Sequence, residues 1–243
     1  MAGEFSNAML DVLPTDRRES LLARMEHVDL ALGTVLCAAG EQPKYAHFMT
    51  SGMCSVVTYM SDGNGAEVGV VGREGLVEGI NLLGPALAPT KSFIQIKGTA
   101  LRLRFSELQR EFFASGPLLH RILESVQCNG FVLSQLTACN GLHEIEERLA
   151  RWLLMVGDRL HSDKFYLTQE FLAEMLGARR TSVTMAAGSL QRSGLIEYSR
   201  GNIHIVDRKG LERAACECYP IVRDLFAGLY QSSNGKVSPN GNL

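Results

Sequence analysis

The chain carries little net charge, no long apolar run, a single tryptophan and no close cysteine motif, and each absence narrows what it can be. With 24 Lys and Arg against 26 Asp and Glu, the formal charge is −2. No global basic field exists to draw in a polyanion, so affinity of that kind has to come from local charge. No apolar stretch reaches the roughly 18 residues that a membrane-spanning helix needs, and no secretory leader is visible. The expectation is a cytoplasmic protein without a membrane partner. Six cysteines are present, Cys37, Cys54, Cys128, Cys139, Cys216 and Cys218, without a CxxC pair or paired zinc-ligand spacings. In a reducing compartment they read as small buried hydrophobes, and neither metal nor cofactor is expected. Cys216-x-Cys218 is the one close pair, and a disulfide across that spacing is geometrically awkward.

At 243 residues the chain is comfortable as two domains, each large enough to bury a core. Residues 1–22 read as a tag remnant, MAGEFSNA, with Met9 as the native start, followed by a short helix over residues 10–25 with Leu10, Leu13, Leu21 and Leu22 apolar. Residues 23–112 give short runs at 35–37, 47–50, 54–60, 66–71, 92–96 and 100–104. Gly33, Gly40-Glu41, Ser51-Gly52, Asp62-Gly63-Asn64-Gly65, Gly72 and Lys97-Gly98 separate them. Short strands at regular spacing predict a sandwich or jelly roll, which encloses a pocket.

Residues 113–143 predict one long helix. Leu119, Ile122, Val126, Asn129, Leu133, Leu136, Asn140 and His143 recur at alternating spacings of three and four, as in a coiled-coil seam. Two copies would pair along it, with Asn129 and Asn140 setting the register. The same stripe would alternatively serve as a core face packed on its own roll. Gly141 weakens the helix where the seam ends and suits either a hinge or a close contact with the partner. Residues 144–156, with Trp152 turned inward, continue as a connecting helix.

The most informative stretch is YLTQEFLAEMLGARRTSVTMAAGSLQRSGLIEYSRGNIHIV, residues 166–206. Thr168 is a good N-cap, and Phe171, Leu172, Met175 and Leu176 share one helical side. Gly177 ends that helix, and Ala178 and Arg179 lead into the next. There Val183, Ala186, Ala187 and Leu190 form the inward stripe. After Gly194 the pattern alternates through Leu195, Ile196, Tyr198, Ile203 and Ile205, with Ser199-Arg200-Gly201-Asn202 as a hairpin tip. Helix, glycine turn, helix and basic hairpin predict a winged helix-turn-helix within residues 144–215. Arg180 is the candidate base reader, because a guanidinium bonds a guanine edge bidentately in the major groove. Thr168, Gln169, Arg179, Ser182 and Arg200 suit phosphates, and Thr181, Thr184, Met185, Ser199 and Gly201 complete the expected contact surface. Residues 216–243 are expected to form a tail.

The order of roll, long helix and winged segment resembles the cyclic-AMP receptor protein/FNR superfamily of bacterial transcription regulators. LTQEFLAEMLGARRTSV, LQRSGLI and RGNIHIVDRKGLE carry the resemblance, with looser support from Gly33, Gly40-Glu41, residues 45–52 and Gly72 in the roll. The resemblance implies an α+β fold: a cyclic-nucleotide-binding-like β-roll, a dimerisation helix and a C-terminal winged helix-turn-helix. It implies a homodimer that binds a pseudo-palindromic operator in double-stranded DNA, regulates transcription and is not an enzyme. RNA polymerase would be a partner if the protein activates.

Departures from the family pattern are informative. Cyclic-nucleotide-binding members grip the ribose with a glutamate and the cyclic phosphate with an arginine followed by a small hydroxyl residue. Aligned on Gly79, those positions fall here on Ile80 and on Thr90 followed by Lys91, and lysine does not replace an arginine fork. The effector is therefore unknown and expected not to be cyclic AMP. Cys37 has no clustered partners for the family's iron–sulfur centre, and His27, His47, Cys37 and Cys54 read as structural rather than as haem ligands. In the recognition helix the family's glutamate and second arginine align with Thr181 and Met185, so the operator should differ beyond the base read by Arg180. Two other readings are a cupin-like enzyme with a C-terminal dimerisation module, and a DNA-binding protein without effector. Against the first, the roll lacks an H-x-H pair followed by Glu and His.

Overall fold

The computed structural model describes residues 6–114 and 116–231; residues 1–5 of the expected tag remnant and 232–243 of the expected tail lie outside them. In place of one helix over 10–25 there are two, α1 (Ala8–Asp11) and α2 (Thr15–Leu22). Pro14 divides them with an extended ψ of 140°. Asn7, excluded from the sequence-based fold, is integral to this one. Its side chain caps α1 by accepting from the amides of Met9 and Leu10, and its Nδ2 donates to Met49 O and Gly75 O at 2.9 Å.

Eight strands follow: β1 (Glu26–Leu30), β2 (Val35–Cys37), β3 (Tyr45–Met49), β4 (Met53–Tyr59), β5 (Gly65–Val71), β6 (Leu76–Val77), β7 (Thr90–Ile96) and β8 (Gly98–Arg104). One 3-10 turn, Gly79–Leu82, lies between β6 and β7. The strands form two antiparallel sheets, ordered β1-β8-β3-β6 and β2-β7-β4-β5. Leu30, Met49, Val77 and Ala100 from the first sheet are buried with Cys54 and Ile94 from the second, which makes the unit a two-layer roll. The turn from β3 to β4 requires glycine: Gly52 has φ +71°, and a Cβ there would lie 2.5 Å from Ile96 O.

The helices α3 (Phe105–Ala114) and α4 (Gly116–Leu142) leave the roll. α4 has 27 residues, about 40 Å at the α-helical rise. It ends at Leu142, and α5 (Ile145–Leu160) starts behind a capping box in which Glu147 Oε2 accepts from the Glu144 amide at 3.1 Å. The break between the helices is thus at His143-Glu144, two residues beyond the expected hinge. Every residue of α5 from Leu149 to Gly157 is buried, as befits a helix enclosed on all sides.

The remaining elements are β9 (Lys164–Tyr166), α6 (Gln169–Met175), α7 (Arg180–Arg192), β10 (Ile196–Ser199), β11 (Asn202–Ile205), α8 (Arg208–Ala214) and α9 (Cys218–Gly228). A three-stranded sheet of order β10-β11-β9 makes the wing. α9 replaces the expected tail. Its Tyr219 and Val222 are buried beside half-buried Leu225 and Phe226 as it packs on α4, and Tyr230 beyond it donates its hydroxyl to Glu74 O at 3.0 Å. The C-terminal unit docks on its own roll through Trp152 Nε1–H to Glu67 Oε1 at 2.8 Å, Arg159 to Glu74 at 2.9 Å, and the edge of Phe171 against Phe93.

Candidate functional site

The helix pair is assembled as its sequence predicts. Thr168 Oγ1 accepts from the Phe171 amide at 3.2 Å, which starts α6, and Gly177 at φ +55° turns the chain toward α7. Val183, Ala186, Ala187 and Leu190 are buried against α5 and α6, and the two alanines keep the helices close. The opposite side of α7 is bare. Arg179, Arg180, Thr181, Thr184 and Met185 are exposed, Met185 at 75%, while Ser182 and Gln169 are half-buried. The Thr184 hydroxyl lies 2.8 Å from Gln169 Oε1 and 2.9 Å from Arg180 O, which ties the start of α6 to the first turn of α7. Arg179 stands at the N-cap of α7 without a side-chain cap bond, so the first-turn amides point outward with the positive end of the helix dipole.

The wing adds a second basic point. Ser199 pairs with Asn202 across a two-residue turn, Arg200 at φ +50° and Gly201 at φ +86°, the double positive φ of a type I′ hairpin. Arg200 and Ser199 are exposed at its tip; Gly201 is buried under the Tyr166 ring. Between Ala178 and Gly201, Arg179, Arg180, Arg192 and Arg200 stand against Glu197 alone, and Glu197 faces His204 at 3.1 Å. This local excess is the charge that the overall composition hides.

A cavity of about 670 Å³ lies between the roll, α4 and the start of the C-terminal unit. Of the four residues expected at an effector pocket, Gly79, Ile80 and Thr90 line this cavity and Lys91 does not. β7 alternates, so Lys91 points to the other face and lies over the rings of Tyr59 and Phe93, 5.8 and 5.4 Å from their centroids. Two carboxyl groups that sequence reasoning missed are at the cavity wall. Glu78, held at φ +70°, accepts from Asn81 Nδ2 at 2.6 Å and from the Ser92 hydroxyl, and burial raises its pKa. Glu67 accepts from Trp152 Nε1–H and lies 2.8 Å from Ser55 Oγ; burial pushes it up to about 7 despite those bonds and the guanidinium groups of Arg159 and Arg151. Arg151 from α5 is the one cationic side chain among the described lining residues.

The expected seam of α4 divides. Ile122 is fully buried in its own chain, Leu136 packs on the C-terminal core, and His143 turns toward Cys218. Leu119 and Val126 are half-buried, whereas Leu133, Asn129 and Asn140 are exposed. With Leu123, exposed at 42%, they form a stripe that also passes Gly130, whose Cβ position opens on empty space. The roll's histidines do not form a metal set. His47 is buried on β3 with its pKa lowered to about 4 by burial and Arg102, and His27 sits on β1 across the intervening β8. Among the described residues, Cys139, His143, Cys216 and Cys218 do come together, with one donor atom from each lying within 4.8 Å of the others.

An outward recognition helix set on a buried partner and flanked by a basic hairpin is the apparatus of a winged helix-turn-helix DNA-binding protein. Residues 147–214 match the model of the Crp-like helix-turn-helix domain. Solved structures extend the likeness to the whole architecture. A transcriptional regulator of the Crp/Fnr family from Eubacterium rectale is 16% identical with a TM-score of 0.68, over 85% of this chain and 96% of that one. The c-di-GMP-responsive global regulator CLP of Xanthomonas campestris is 16% identical with a TM-score of 0.65, over 79% and 99%. A CRP-family regulator from Thermus thermophilus is 22% identical with a TM-score of 0.65, over 79% and 96%. No curated protein matches the chain by sequence. The chain has the α+β fold of the Crp/Fnr superfamily and carries its DNA-binding domain.

Proposed function

We propose that the protein is a homodimeric, sequence-specific transcription regulator that reads duplex DNA with α7 and does not respond to cyclic AMP. The observation that carries this reading is the exposed set on the first two turns of α7, Arg180, Thr181, Thr184 and Met185, on a helix whose inner face is buried. Arg180 reads a guanine edge; Arg179, Ser182, Thr168, Gln169 and Arg200, with the α7 amides, hold phosphates. Thr181 and Met185 contribute methyl and thioether contacts in place of a carboxylate and a second guanidinium, so the half-site departs from the cyclic-AMP receptor's. Two copies pair along Leu119, Leu123, Val126 and Leu133 of α4, with Asn129 and Asn140 beside the seam setting register. The pair places two α7 helices about one DNA turn, roughly 34 Å, apart.

The cavity beside α4 suits an effector without a phosphate. Glu67 and Glu78 disfavour an anion, and Arg151 lies on α5 rather than beside Thr90, where the resemblance would place the phosphate partner. A ligand there touches both the roll and α4, so its binding shifts the balance between two domain arrangements. The protein works in the cytoplasm, is not an enzyme, and engages RNA polymerase where its operator position makes it an activator.

Selection of bound sequences from a random duplex library tests the reading. A two-fold symmetric site with half-sites one helical turn apart is expected; no enriched sequence would refute it. Calorimetric titration with cyclic AMP should show no binding, and micromolar affinity would overturn the effector statement.

A further inference from the structure

Four side chains from opposite ends of the C-terminal half meet at the end of α4. Cys139 and His143 are one helical turn apart and share a side of the chain, while Cys216 lies in the link from α8 to α9 and Cys218 is the first residue of α9, with Glu217 between them. Cys139 Sγ lies 3.5 Å from Cys216 Sγ, and Cys218 Sγ lies 3.7 Å from His143 Nδ1. A tetrahedral zinc ion, with bonds of about 2.3 Å to sulfur and about 2.0 Å to nitrogen, sets ligand atoms about 3.5–3.8 Å apart. These two donor pairs are at the separation that one ion imposes, and all four donors lie within 4.8 Å of one another.

The surroundings fit a bound ion better than a packed thiol cluster. The three cysteines are buried with one another and apart from the larger aliphatic cores. His143 offers Nδ1 to the cluster while Nε2 lies 3.0 Å from Glu217 Oε2, so a carboxylate fixes the tautomer and the ring of a nitrogen ligand. Gln135 Nε2–H donates to Cys218 Sγ at 3.1 Å, a bond that suits a thiolate. Arg148 and Arg151, one and two turns into α5, both act electrostatically on Cys139, and Arg151 is buried with Nε unpartnered.

We propose that Cys139, His143, Cys216 and Cys218 form a tetrahedral Cys3His site for Zn²⁺. On binding, the three thiols release three protons to solvent and the neutral imidazole gives its Nδ1 lone pair, leaving a centre of net charge −1 beside the two arginines. The site is closed by four protein ligands, as structural zinc sites are. It lies at the N-terminal side of the break at His143-Glu144 and fastens the α8–α9 link and the start of α9 to the end of α4. Linear spacing gave no sign of it, because the chain supplies the ligands as two pairs 77 residues apart at Cys139 and Cys216.

The full chain, purified with a reductant and passed over a chelating resin, should retain about one zinc per chain. Metal-free protein titrated with Co²⁺ should develop the thiolate-to-cobalt charge-transfer absorption and the strong visible bands of tetrahedral coordination, and Zn²⁺ should bleach both. Cys218→Ser and His143→Ala should lose the ion, whereas Cys37→Ser, outside the cluster, should keep it. Glu217→Gln leaves the ligands intact at an exposed position and should weaken Zn²⁺ binding about 10–100-fold. Should the ligand variants not fold, the wild-type cobalt spectrum and the Glu217→Gln affinity decide. The proposal is overturned if reduced protein takes up no Co²⁺, binds it only with the weak bands of an oxygen-ligated ion, keeps zinc in both ligand variants, or forms a Cys139–Cys216 disulfide in place of retaining metal.

Discussion

Replacing Glu67 by glutamine changes how stability depends on pH, and the size of the change follows from where the carboxyl sits. It stands half-buried on β5 against α5, at the cavity wall, accepting from Trp152 Nε1–H, and loss of solvation raises its pKa from the ordinary 4.5 to about 7. The folded state therefore holds the proton more tightly than the unfolded chain does. The sign follows: the neutral acid carries no penalty below about pH 4.5, stability falls as pH rises through the window to about 7, and the loss is constant above it. Ionising in place costs about 3 kcal/mol across that window. The glutamine side chain retains an acceptor for Trp152 and has no proton to lose, so the stability difference between variant and wild type grows by about 2.5 kcal/mol between pH 5 and pH 8. Urea unfolding at fixed protomer concentration, followed by the fluorescence of the single tryptophan that contacts residue 67, measures it. His47, lowered to about 4, titrates in both proteins and cancels. Parallel pH profiles for the two proteins would refute the placement of Glu67 as a desolvated acid.

Three further outcomes are expected. Gly201→Ala puts a Cβ 2.5 Å from the Tyr166 ring at φ +86°, and should destabilise the wing by about 2 kcal/mol in chemical denaturation. Leu133→Asp, exposed at 45% in the single chain, should convert a sedimenting dimer to monomer with the fold's circular dichroism retained. Arg200→Ala should weaken binding to every duplex alike and reduce the slope of log affinity against log salt by about 1, as loss of one phosphate contact does.

The winged segment was legible because its information is local. Caps, a glycine turn, a 3.6-residue stripe and an alternating hairpin each lie within a few residues, and Thr168, Gly177, Val183 and Arg200 stand in the fold as their spacing predicts. Strand β9 was not legible: Lys164–Tyr166 is three residues long and acquires its identity by pairing with β11, nearly forty residues later. Periodicity found α4 but could not say which stripe its own chain would cover. Ile122 belongs to the N-terminal core and Leu123 to the open face, one residue apart on a helix with apolar groups on both sides. For α9 a signal was present, since Tyr219, Val222, Phe226 and Leu229 recur at spacings of three and four; reading the segment as a tail overlooked it. Glu67 and Glu78 become cavity residues only when the sheets close, and the Cys139, His143, Cys216 and Cys218 cluster exists only once α9 returns to α4.

Base reading by Arg180 is the central claim, and competition binding tests it most directly. Wild type and Arg180→Ala would each be titrated against the selected operator and against its single-base variants at one fixed salt concentration. The account predicts that the variant loses about 1–3 kcal/mol per half-site on the selected operator and stops discriminating at one position of each half-site, with preferences elsewhere kept. An unchanged preference at every position, or a uniform loss across all duplexes, would contradict it.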